Sequence, residues 1–392
     1  MAAETIATAG ASVTVYDHMA SVGRKLFLAG RGGLNITHSE SLDQFLGRYG
    51  AARPRLERAI RAFGPTELRA WCSGLGQEPF VGSGGRVFPS GFRATPLLRA
   101  WLHRLSALDV EIKLRHSWHG WEESDDAPVA MTFSDADGRP ITVVAHAAVL
   151  AMGGASWPRV GSDGAWVGPM TAGGVEVTPL RPSNCGFVVE WTAVFRDRFA
   201  GTPLKNVMLS FDGTSVRGEA MITTTGIEGG GVYALSAALR DAIEAGRPAV
   251  LHVDLHPDRS IDDLAERVTR RSSKESISTR LQRAVGLPPV AIGLLRESTG
   301  NRLPHEPLAL ARLLKSAPLT LIAPQPIERA ISTAGGVGFD QVDDSFMLRS
   351  HPGTFVAGEM LDWEAPTGGY LLQATFSTAV AAATAAIERL AG

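Results

Sequence analysis

Hydrophobic and polar positions at the start of the chain predict a short helix followed by a strand. Residues 2–9 are Ala-rich and contain no proline, and Gly10 follows them, which is typical of a helix and its C-terminal cap. Residues 12–16 are mostly β-branched or aromatic, which predicts a buried strand that ends at the acidic Asp17. A helix and then a strand ending in a carboxylate form the second half of a dinucleotide-binding βαβ unit, whose carboxylate binds a ribose. The glycine-rich phosphate turn of such a unit lies about 20 residues earlier, so we expect that turn and its strand to lie upstream of Met1.

Further elements follow from the same periodicities. Thr95-Pro96 has the residue types of a helix cap and a first helical position, and apolar residues at helical spacing follow it. Asp137-Gly138 is a turn signal, which predicts a β-ribbon over residues 111–144. The glycines at 335–338 are expected to lie in a loop with no helix after it, which gives no support for a second, NAD(P)-binding fingerprint. Buried strands are predicted at 148–151 and 354–357, and an Ala-rich helix ends the chain.

The pattern of predicted helices and strands changes twice along the chain, which predicts an inserted domain. Helices and strands alternate around glycine-rich turns at both ends of the sequence. The middle has strand-like stretches first and then a helical, polar stretch over about 257–316, where Ser260 caps a predicted helix. At 392 residues the chain exceeds the roughly 250–300 residues over which a single core grows. We therefore predict one α/β domain built from residues 1–182 and 331–392, with residues 183–330 inserted between them.

Composition and charge narrow the class of protein. The formal net charge is −2 and the sequence pI is about 6.6, with no polybasic run, so nucleic acid and anionic membranes are not expected partners. The two cysteines, Cys72 and Cys185, suit a reducing compartment better than a disulfide framework. The N-terminus has no signal-peptide pattern, and the apolar stretch 379–387 is shorter than the roughly 20 residues that span a bilayer. We therefore expect a cytoplasmic protein.

Two glycine-rich stretches in the first half of the chain carry a chemical signal. Residues 23–35 bring several glycines next to Arg24 and Lys25, so backbone can approach a ligand closely and cations can meet its phosphates. Gly153-Gly154 directly follows a predicted buried strand. Each stretch, considered by itself, also has a purely structural explanation. The first can be an ordinary surface loop and the second a tight connection between two elements.

Two more glycine-rich stretches lie near the C-terminus. Gly358-Glu359 directly follows a predicted strand. Residues 366–371 open the last helix, and the unpaired N–H groups of a helix start suit an anion or a polarised ring edge. Structural capping by Thr367 is the alternative explanation of this stretch.

Taken together, these stretches resemble a known family, the bacterial FAD-dependent oxidoreductases of glutathione-reductase-type fold. Within it, the sequence is similar to a flavoprotein branch related to aminoacetone-oxidase-like and bile-acid dehydro-reductase-like proteins. The similarity extends over nearly the whole chain in the expected order, and its first and last blocks are the most specific. The blocks that carry it are GRKLFLAGRGGLNITHSE (23–40), GRVFPSGFRATPLL (85–98), LAMGGASWPRVGSDG (150–164), TTTGIEGGGVYALSAALRDAI (223–243), STAGGVGFDQVD (332–343) and FVAGEMLDWEAPTGGYLLQATFSTA (355–379).

The resemblance implies that several residues bind the adenosine and phosphate parts of FAD. Asp17 would bind the adenosine ribose, and Arg24 with Lys25 would lie on the phosphate and ribose side. Trp118 lies where the family's β-ribbon offers backbone hydrogen bonds to adenine. Gly153-Gly154 would pass close to the pyrophosphate and ribose, and Glu359 would bind the ribityl or pyrophosphate part.

The resemblance implies that other residues lie on the flavin side. Gly30, Gly32 and Asn35 would line it. The start of the last helix would bind the cofactor through Gly368, Gly369, Tyr370 and Leu371. The N–H groups of the last three would point at the N1–C2=O edge of the isoalloxazine, and donors fixed there would stabilise the reduced ring.

The resemblance also implies a fold, from which this sequence departs at its start. In the family, the FAD-binding domain is Rossmann-like and the insert is a β-barrel that carries a helical subdomain. Family members begin with a strand and a GGGPAGL-like turn, which are absent before Met1. We expect either a start site some tens of residues upstream or a real loss of this segment, and both versions stay open.

Other kinds of site are disfavoured. The ten histidines show no metal-ligand spacing, so no metal site is expected, and no residue is assigned as a catalytic acid or base. His38 either faces the flavin or has a structural role. The sequence has no CxxC, GxSxG or GxxxxGK[ST], which weighs against disulfide reduction, a hydrolase elbow and a P-loop.

The resulting functional expectation is an FAD-dependent oxidoreductase acting on an unidentified small molecule, which would bind between the FAD-binding domain and the insert. The reaction would be the reduction of an activated double bond, with NAD(P)H as a transient electron donor, or the oxidation of a small amine by oxygen. The alternative is a remnant that no longer binds FAD and serves as a non-catalytic binding module.

Overall fold

Helices and strands alternate from the first residues of the chain. The computed structural model describes residues 1–122, 129–271 and 274–391. The chain divides into two compact units, unit 1 (Met1–Arg181 with Ile331–Gly392) and unit 2 (Pro182–Ala330).

Unit 1 contains the following elements. Its helices are α1 (Ala2–Thr8), α2 (Arg24–Ala29), α3 (Leu42–Gly47), α4 (Arg53–Ala62), α5 (Pro65–Gly74), α6 (Ala94–Ala107), α7 (Val167–Ala172) and, near the C-terminus, α15 (Tyr370–Ala391). Its strands are β1 (Thr14–Asp17), β2 (Thr37–His38), β3 (Pro79–Val81), β4 (Arg86–Pro89), β5 (Glu111–Leu114), β6 (Ser117–Trp121), β7 (Val129–Ser134), β8 (Pro140–Ala145), β9 (Ala148–Leu150), β10 (Val177–Ser183, which ends across the boundary), β17 (Ser332–Val337) and β18 (Thr354–Val356).

Parallel strands form two separate pairs in unit 1. Strand β1 pairs with β5, and β9 pairs with β18. Within the described residues neither β1 nor β9 has a second strand partner. The prediction that residues 111–114 belong to the β-ribbon was wrong, because Glu111 pairs with Thr14 and the ribbon consists of β6, β7 and β8. An alternating pattern indicates a strand but does not select its partner.

Two further local predictions were also wrong. Helix α6 begins at Ala94, so Thr95 lies inside its first turn and the cap position belongs to Arg93. Residues 335–337 form part of the buried strand β17 rather than a loop. A Cβ at Gly335 or Gly336 would overlap a neighbouring backbone carbonyl oxygen, so these glycines allow close backbone packing within a strand.

The last helix, α15, is a core element of unit 1. Its small residues Ala374, Ala382, Ala383 and Ala386 are fully buried, and it packs against α1 and α4. Of the described helices, α15 alone is long and apolar enough to cross a membrane, and 56% of its most apolar stretch is buried inside the protein. Such burial is typical of a core helix.

Unit 2 is a β-barrel with a helical part. Its elements are β11 (Phe187–Val188), α8 (Ala193–Phe199), β12 (Pro203–Phe211), β13 (Thr214–Ile222), β14 (Gly226–Glu228), α9 (Gly230–Tyr233), α10 (Ser236–Glu244), β15 (Ala249–Asp254), α11 (Ile261–Thr269), α12 (Ile277–Val285), α13 (Pro289–Ser298), α14 (Pro307–Lys315) and β16 (Ala317–Leu321). In the described part of unit 2, six strands pair in the order β11-β14-β13-β12-β15-β16. Phe187 also bridges Pro324 beyond β16, which closes the sheet into a barrel. The predicted cap of α11 is present, since Ser260 Oγ accepts a hydrogen bond from Asp263 N at 3.1 Å.

Candidate functional site

Two glycine-rich stretches meet at the carboxyl ends of β9 and β18. Gly153 and Gly154 follow β9, and Glu359 lies in the 3₁₀ turn that follows β18. Glu359 Oε2 accepts a hydrogen bond from Gly154 N at 3.2 Å, and its Oε1 accepts one from Thr333 N at 2.9 Å. A Cβ at Gly154 would overlap the Thr333 side chain, so this position needs glycine. This edge of a parallel sheet is where α/β proteins bind ligands.

Lys25 brings a cation to the same place. It is the second residue of α2, and its Nζ lies 2.8 Å from Glu359 Oε2. The ammonium also donates to Ser156 Oγ at 2.8 Å and to Ser162 Oγ at 3.0 Å. The Lys25 side chain is 30% exposed and that of Glu359 is 16% exposed, so the pair lies at the edge of solvent. The structure therefore brings the predicted residues Lys25, Gly153, Gly154 and Glu359 together.

Sequence reasoning missed three members of this cluster, namely Ser156, Ser162 and Thr333. All three lie inside the blocks 150–164 and 332–343, which carry the family resemblance. Small polar residues within such blocks are the signal that would have found them, because a partly buried ion pair needs further hydrogen-bonding partners.

Asp17 lies beside the turn that follows this cluster. Its Oδ1 accepts a hydrogen bond from Met19 N at 2.8 Å. A Cβ at Gly161 would lie 2.7 Å from Met19 Cγ, which shows how closely the end of β1 approaches the turn at 161. Arg24 begins α2, next to Lys25 in sequence.

Trp118 lies on the ribbon that packs beside β1. It pairs with Phe133 across β6 and β7, and the ring of Phe133 stacks on that of Tyr16 at 4.7 Å. Tyr16 directly precedes Asp17, so the predicted adenine side and the predicted ribose ligand are neighbours.

The start of α15 approaches β2 very closely. Gly369 has φ +95°, and a Cβ there would lie 2.6 Å from the Thr37 backbone. Gly368 has φ +138°, and the helix begins at Tyr370, followed by Leu371. The helix thus starts inside the stretch 366–371 that was predicted to open it, and the two glycines before it hold non-helical conformations.

Gly30, Gly32 and Asn35 lie on the segment that leads to β2, and they differ in surroundings. A Cβ at Gly30 would lie 2.6 Å from Ala94 Cβ, so this glycine packs against α6. A Cβ at Gly32 would meet no atom within 4 Å. Gly32 therefore faces open space, whereas Gly30 does not.

A charged network, which sequence reasoning missed, surrounds Tyr370. The Tyr370 hydroxyl donates to Glu40 Oε1 at 2.6 Å. Arg48 donates to both oxygens of that carboxylate, from Nε at 3.1 Å and from Nη2 at 2.7 Å. Tyr49 Oη donates to the Tyr370 carbonyl oxygen at 2.8 Å. This network fixes the first residue of α15 by its side chain and by its backbone.

The network shifts the pKa values of its members. Burial disfavours the charge of Glu40, but hydrogen bonds from Arg48 and Tyr370 outweigh it and leave the pKa of Glu40 below its ordinary value. Burial and the hydrogen bond to Glu40 raise the pKa of Tyr370, so its hydroxyl keeps the proton that it donates.

His38 packs against the same tyrosine. Its ring stacks on that of Tyr370, with centroids 5.5 Å apart and planes at 25°. Its Nε2 lies 2.7 Å from the Gly84 carbonyl oxygen, and its Nδ1 accepts a hydrogen bond from Glu40 N at 3.2 Å. Both ring nitrogens therefore have protein partners, which favours the structural role over the role facing a flavin.

Unsatisfied polar atoms indicate whether FAD fits these residues. Within the described residues, Asn35 Oδ1, Thr37 Oγ1 and Trp118 Nε1 are buried and make no hydrogen bond. Each such atom costs about 1–3 kcal/mol unless a ligand or water satisfies it. Thr37 lies in β2, beside the start of α15, and Trp118 lies on the predicted adenine side, while Lys25 supplies a cation between glycine turns. These features fit a long, polar, phosphate-bearing cofactor such as FAD.

Comparisons with known proteins agree with this architecture. The model of the family described as HI0933-like protein Rossmann domain matches residues 1–385. A 3-dehydro-bile acid delta(4,6)-reductase of Clostridium scindens is 25% identical over 97% of this chain and 93% of its own length.

Solved structures share the fold. The 3-ketosteroid delta1-dehydrogenase of Sterolibacterium denitrificans is similar with a TM-score of 0.53 at 13% identity, over 99% of this chain and 97% of that one. The E. coli quinol fumarate reductase subunit FrdA is similar with a TM-score of 0.50 at 13% identity, over 100% of this chain and 68% of that one. The predicted α/β class and the predicted family resemblance are confirmed. The chain therefore belongs to the HI0933-like Rossmann-domain family, a family of FAD-dependent oxidoreductases.

Proposed function

We propose that the protein uses FAD to reduce a carbon–carbon double bond conjugated to a carbonyl group in an apolar, steroid-like small molecule. The observation that carries this proposal is the meeting of Lys25, Gly154 and Glu359 at the carboxyl ends of β9 and β18. The substrate class comes from the Clostridium scindens relative, whose name describes a reductase of a 3-dehydro bile acid.

In this proposal FAD supplies the hydride-transfer chemistry, and the chain binds and orients it. Lys25 offsets the negative charge of the pyrophosphate, and Gly153-Gly154 lets the backbone pass close to it. Asp17 and Glu359 accept hydrogen bonds from hydroxyl groups of the ribose and ribityl parts. Arg24 would lie on the phosphate and ribose side of the cofactor, and Trp118 would lie beside the adenine.

The start of α15 would bind the reducible ring of FAD. The N–H groups of Gly369, Tyr370 and Leu371 are free of helical partners at a helix start, and the helix dipole is positive there. These N–H groups and the helix dipole both favour negative charge on the ring edge, so they would stabilise the reduced cofactor. Gly32, at which a Cβ would meet open space, and Asn35, whose Oδ1 is an unpaired acceptor, would line this side of the cofactor.

The overall reaction balances with a reduced nicotinamide as the electron donor. NAD(P)H loses a hydride, and the substrate gains two electrons and one proton from that hydride and a second proton from solvent. Its carbon–carbon π bond breaks and two C–H bonds form. Oxidation of an amine by oxygen is the competing version, and the bile-acid reductase relative favours the double-bond reaction.

The test is an anaerobic half-reaction experiment. The protein is incubated with FAD, freed of unbound FAD by gel filtration, and mixed with NADH or NADPH and then with 4-androstene-3,17-dione. The proposal predicts loss of the visible flavin absorbance with the nicotinamide and its return with the steroid. Peroxide released from an amine in air, without a nicotinamide, would instead establish amine oxidation.

One observation favours a second candidate, a binding module that does not hold FAD. Within the described residues β1 pairs with β5 alone and β9 with β18 alone, so the parallel strands do not form one continuous sheet. A continuous sheet carries the phosphate turn in dinucleotide-binding folds. Protein that stays colourless after incubation with excess FAD would establish this candidate and refute the flavoenzyme.

A further inference from the structure

Three phenylalanines form an exposed aromatic surface on the small sheet of β2, β4 and β3. Phe80 and Phe88 lie directly opposite each other in the β3–β4 pair. Their ring centroids are 5.9 Å apart, and the ring of Phe92 lies 4.8 Å from Phe88 and 6.3 Å from Phe80. Phe80 and Phe92 are each 43% exposed, and Phe88 is half-buried. We call Phe80, Phe88 and Phe92 the aromatic face.

Phe92 holds a conformation that bulky residues avoid. Its φ is +58°, in the left-handed region, which bulky residues adopt rarely and at a cost in backbone strain. Backbone hydrogen bonds hold it there, from Phe92 N to the Pro89 carbonyl oxygen at 2.7 Å and from Leu34 N to the Phe92 carbonyl oxygen at 2.9 Å. A Cβ at Gly33 would lie 2.5 Å from Phe92 Cζ, so the ring is held against the first glycine-rich stretch.

The aromatic face is continuous with the surroundings of Tyr370. Arg86 and Phe88 lie on the same side of β4, because residues two apart in a strand share a face. His38 lies opposite Arg86 in the β2–β4 pair, and its ring stacks on that of Tyr370. One side of this sheet thus leads from the start of α15 to the exposed phenylalanines.

We propose that the aromatic face binds the fused-ring body of the substrate. This assignment rests on the proposed function. Flat apolar rings stack favourably on aromatic side chains, and clustered exposed aromatic residues are typical of binding surfaces. This assignment explains the strain at Phe92, because the left-handed conformation presents the ring to a ligand beside Gly33 instead of to the core.

The test is steroid binding by the FAD-loaded protein, measured by equilibrium dialysis with labelled 4-androstene-3,17-dione. Phe92→Gly removes the ring at a φ that glycine adopts freely, and Phe80→Ser removes the ring of an exposed neighbour. We expect each variant to raise the Kd about tenfold or more, because each removes a large part of an aromatic contact. FAD content and the visible spectrum should stay unchanged. Val194→Ser, which changes a side chain 78% exposed in unit 2, is the matched control and should leave the Kd unchanged.

The outcomes separate this assignment from the proposed function. Steroid binding by the unaltered protein that persists in both variants would overturn the aromatic face alone. An FAD-loaded protein that shows no saturable steroid binding would overturn the substrate class and this assignment together. If the variants lose binding to phosphatidylcholine vesicles while their steroid Kd is unchanged, the surface binds membranes and the assignment is wrong.

Discussion

Replacing Glu359 by glutamine should weaken FAD binding by about tenfold. The carboxylate faces donors on both sides, Lys25 Nζ at 2.8 Å and Gly154 N at 3.2 Å on Oε2, and Thr333 N at 2.9 Å on Oε1. A glutamine side chain of the same shape has one oxygen and one NH₂ group. Whichever way the amide turns, one end directs a donor at a donor.

The magnitude follows from the hydrogen bond that a hydroxyl group of FAD would donate to the Glu359 carboxylate in the proposed complex. A hydrogen bond to a charged group contributes about 1.5–3 kcal/mol. The lower end applies here, because the Lys25–Glu359 pair lies at the edge of solvent, which screens its charges. A loss of about 1.4 kcal/mol corresponds to tenfold in Kd.

The assay is a titration of FAD with the protein, followed by the quenching of flavin fluorescence. Glu388→Gln is the matched control, since Glu388 is an exposed carboxylate near the other end of α15. The reasoning is refuted if E359Q binds FAD as tightly as the unaltered protein, or if E388Q loses as much affinity.

Three further predictions concern the start of α15. Tyr370→Phe removes the hydroxyl that donates to Glu40 but leaves that carboxylate its two bonds from Arg48, so the free energy of unfolding should fall by about 1 kcal/mol in urea titrations. Gly369→Ala should cost about 3 kcal/mol or more because its Cβ would lie 2.6 Å from the backbone of β2, whereas Gly50→Ala, at φ +49° with no atom within 4 Å, should cost about 1–2 kcal/mol. The lowered pKa of Glu40 adds stability above its unfolded pKa of about 4.3, and this is lost as the pH falls through the folded value, so Glu40→Gln should flatten the pH dependence of the urea midpoint below about pH 4.3. An unchanged slope in that variant would show that Glu40 does not contribute to acid unfolding.

Local patterns predicted elements well where neighbours in sequence decide the structure. The β-branched residues before Asp17 form β1, and Ser260 caps α11. The predicted start of α6 was wrong. Ala94 packs against Gly30, and this tertiary contact outweighs the capping preference of Thr95. The glycines of β17 were assigned to a loop because their role, close backbone packing, depends on segments far away in sequence.

The candidate site was predictable to the extent that its residues lie in glycine-rich stretches. Lys25, Gly154 and Glu359 each follow such a signal, and the structure brings them together. Glu40 and Arg48 carry no comparable signal, because charged residues eight positions apart look like a solvated surface. Their role at the site comes from Tyr370, whose hydroxyl donates to Glu40 from more than 300 residues away in sequence.

A crystal structure of the FAD-loaded protein would test the central claim most directly. The account predicts the pyrophosphate of FAD within hydrogen-bonding distance of Lys25 Nζ or the Gly153-Gly154 backbone, with the isoalloxazine edge at the first N–H groups of α15. FAD bound away from the carboxyl ends of β9 and β18, or with its ring remote from Tyr370, would contradict it.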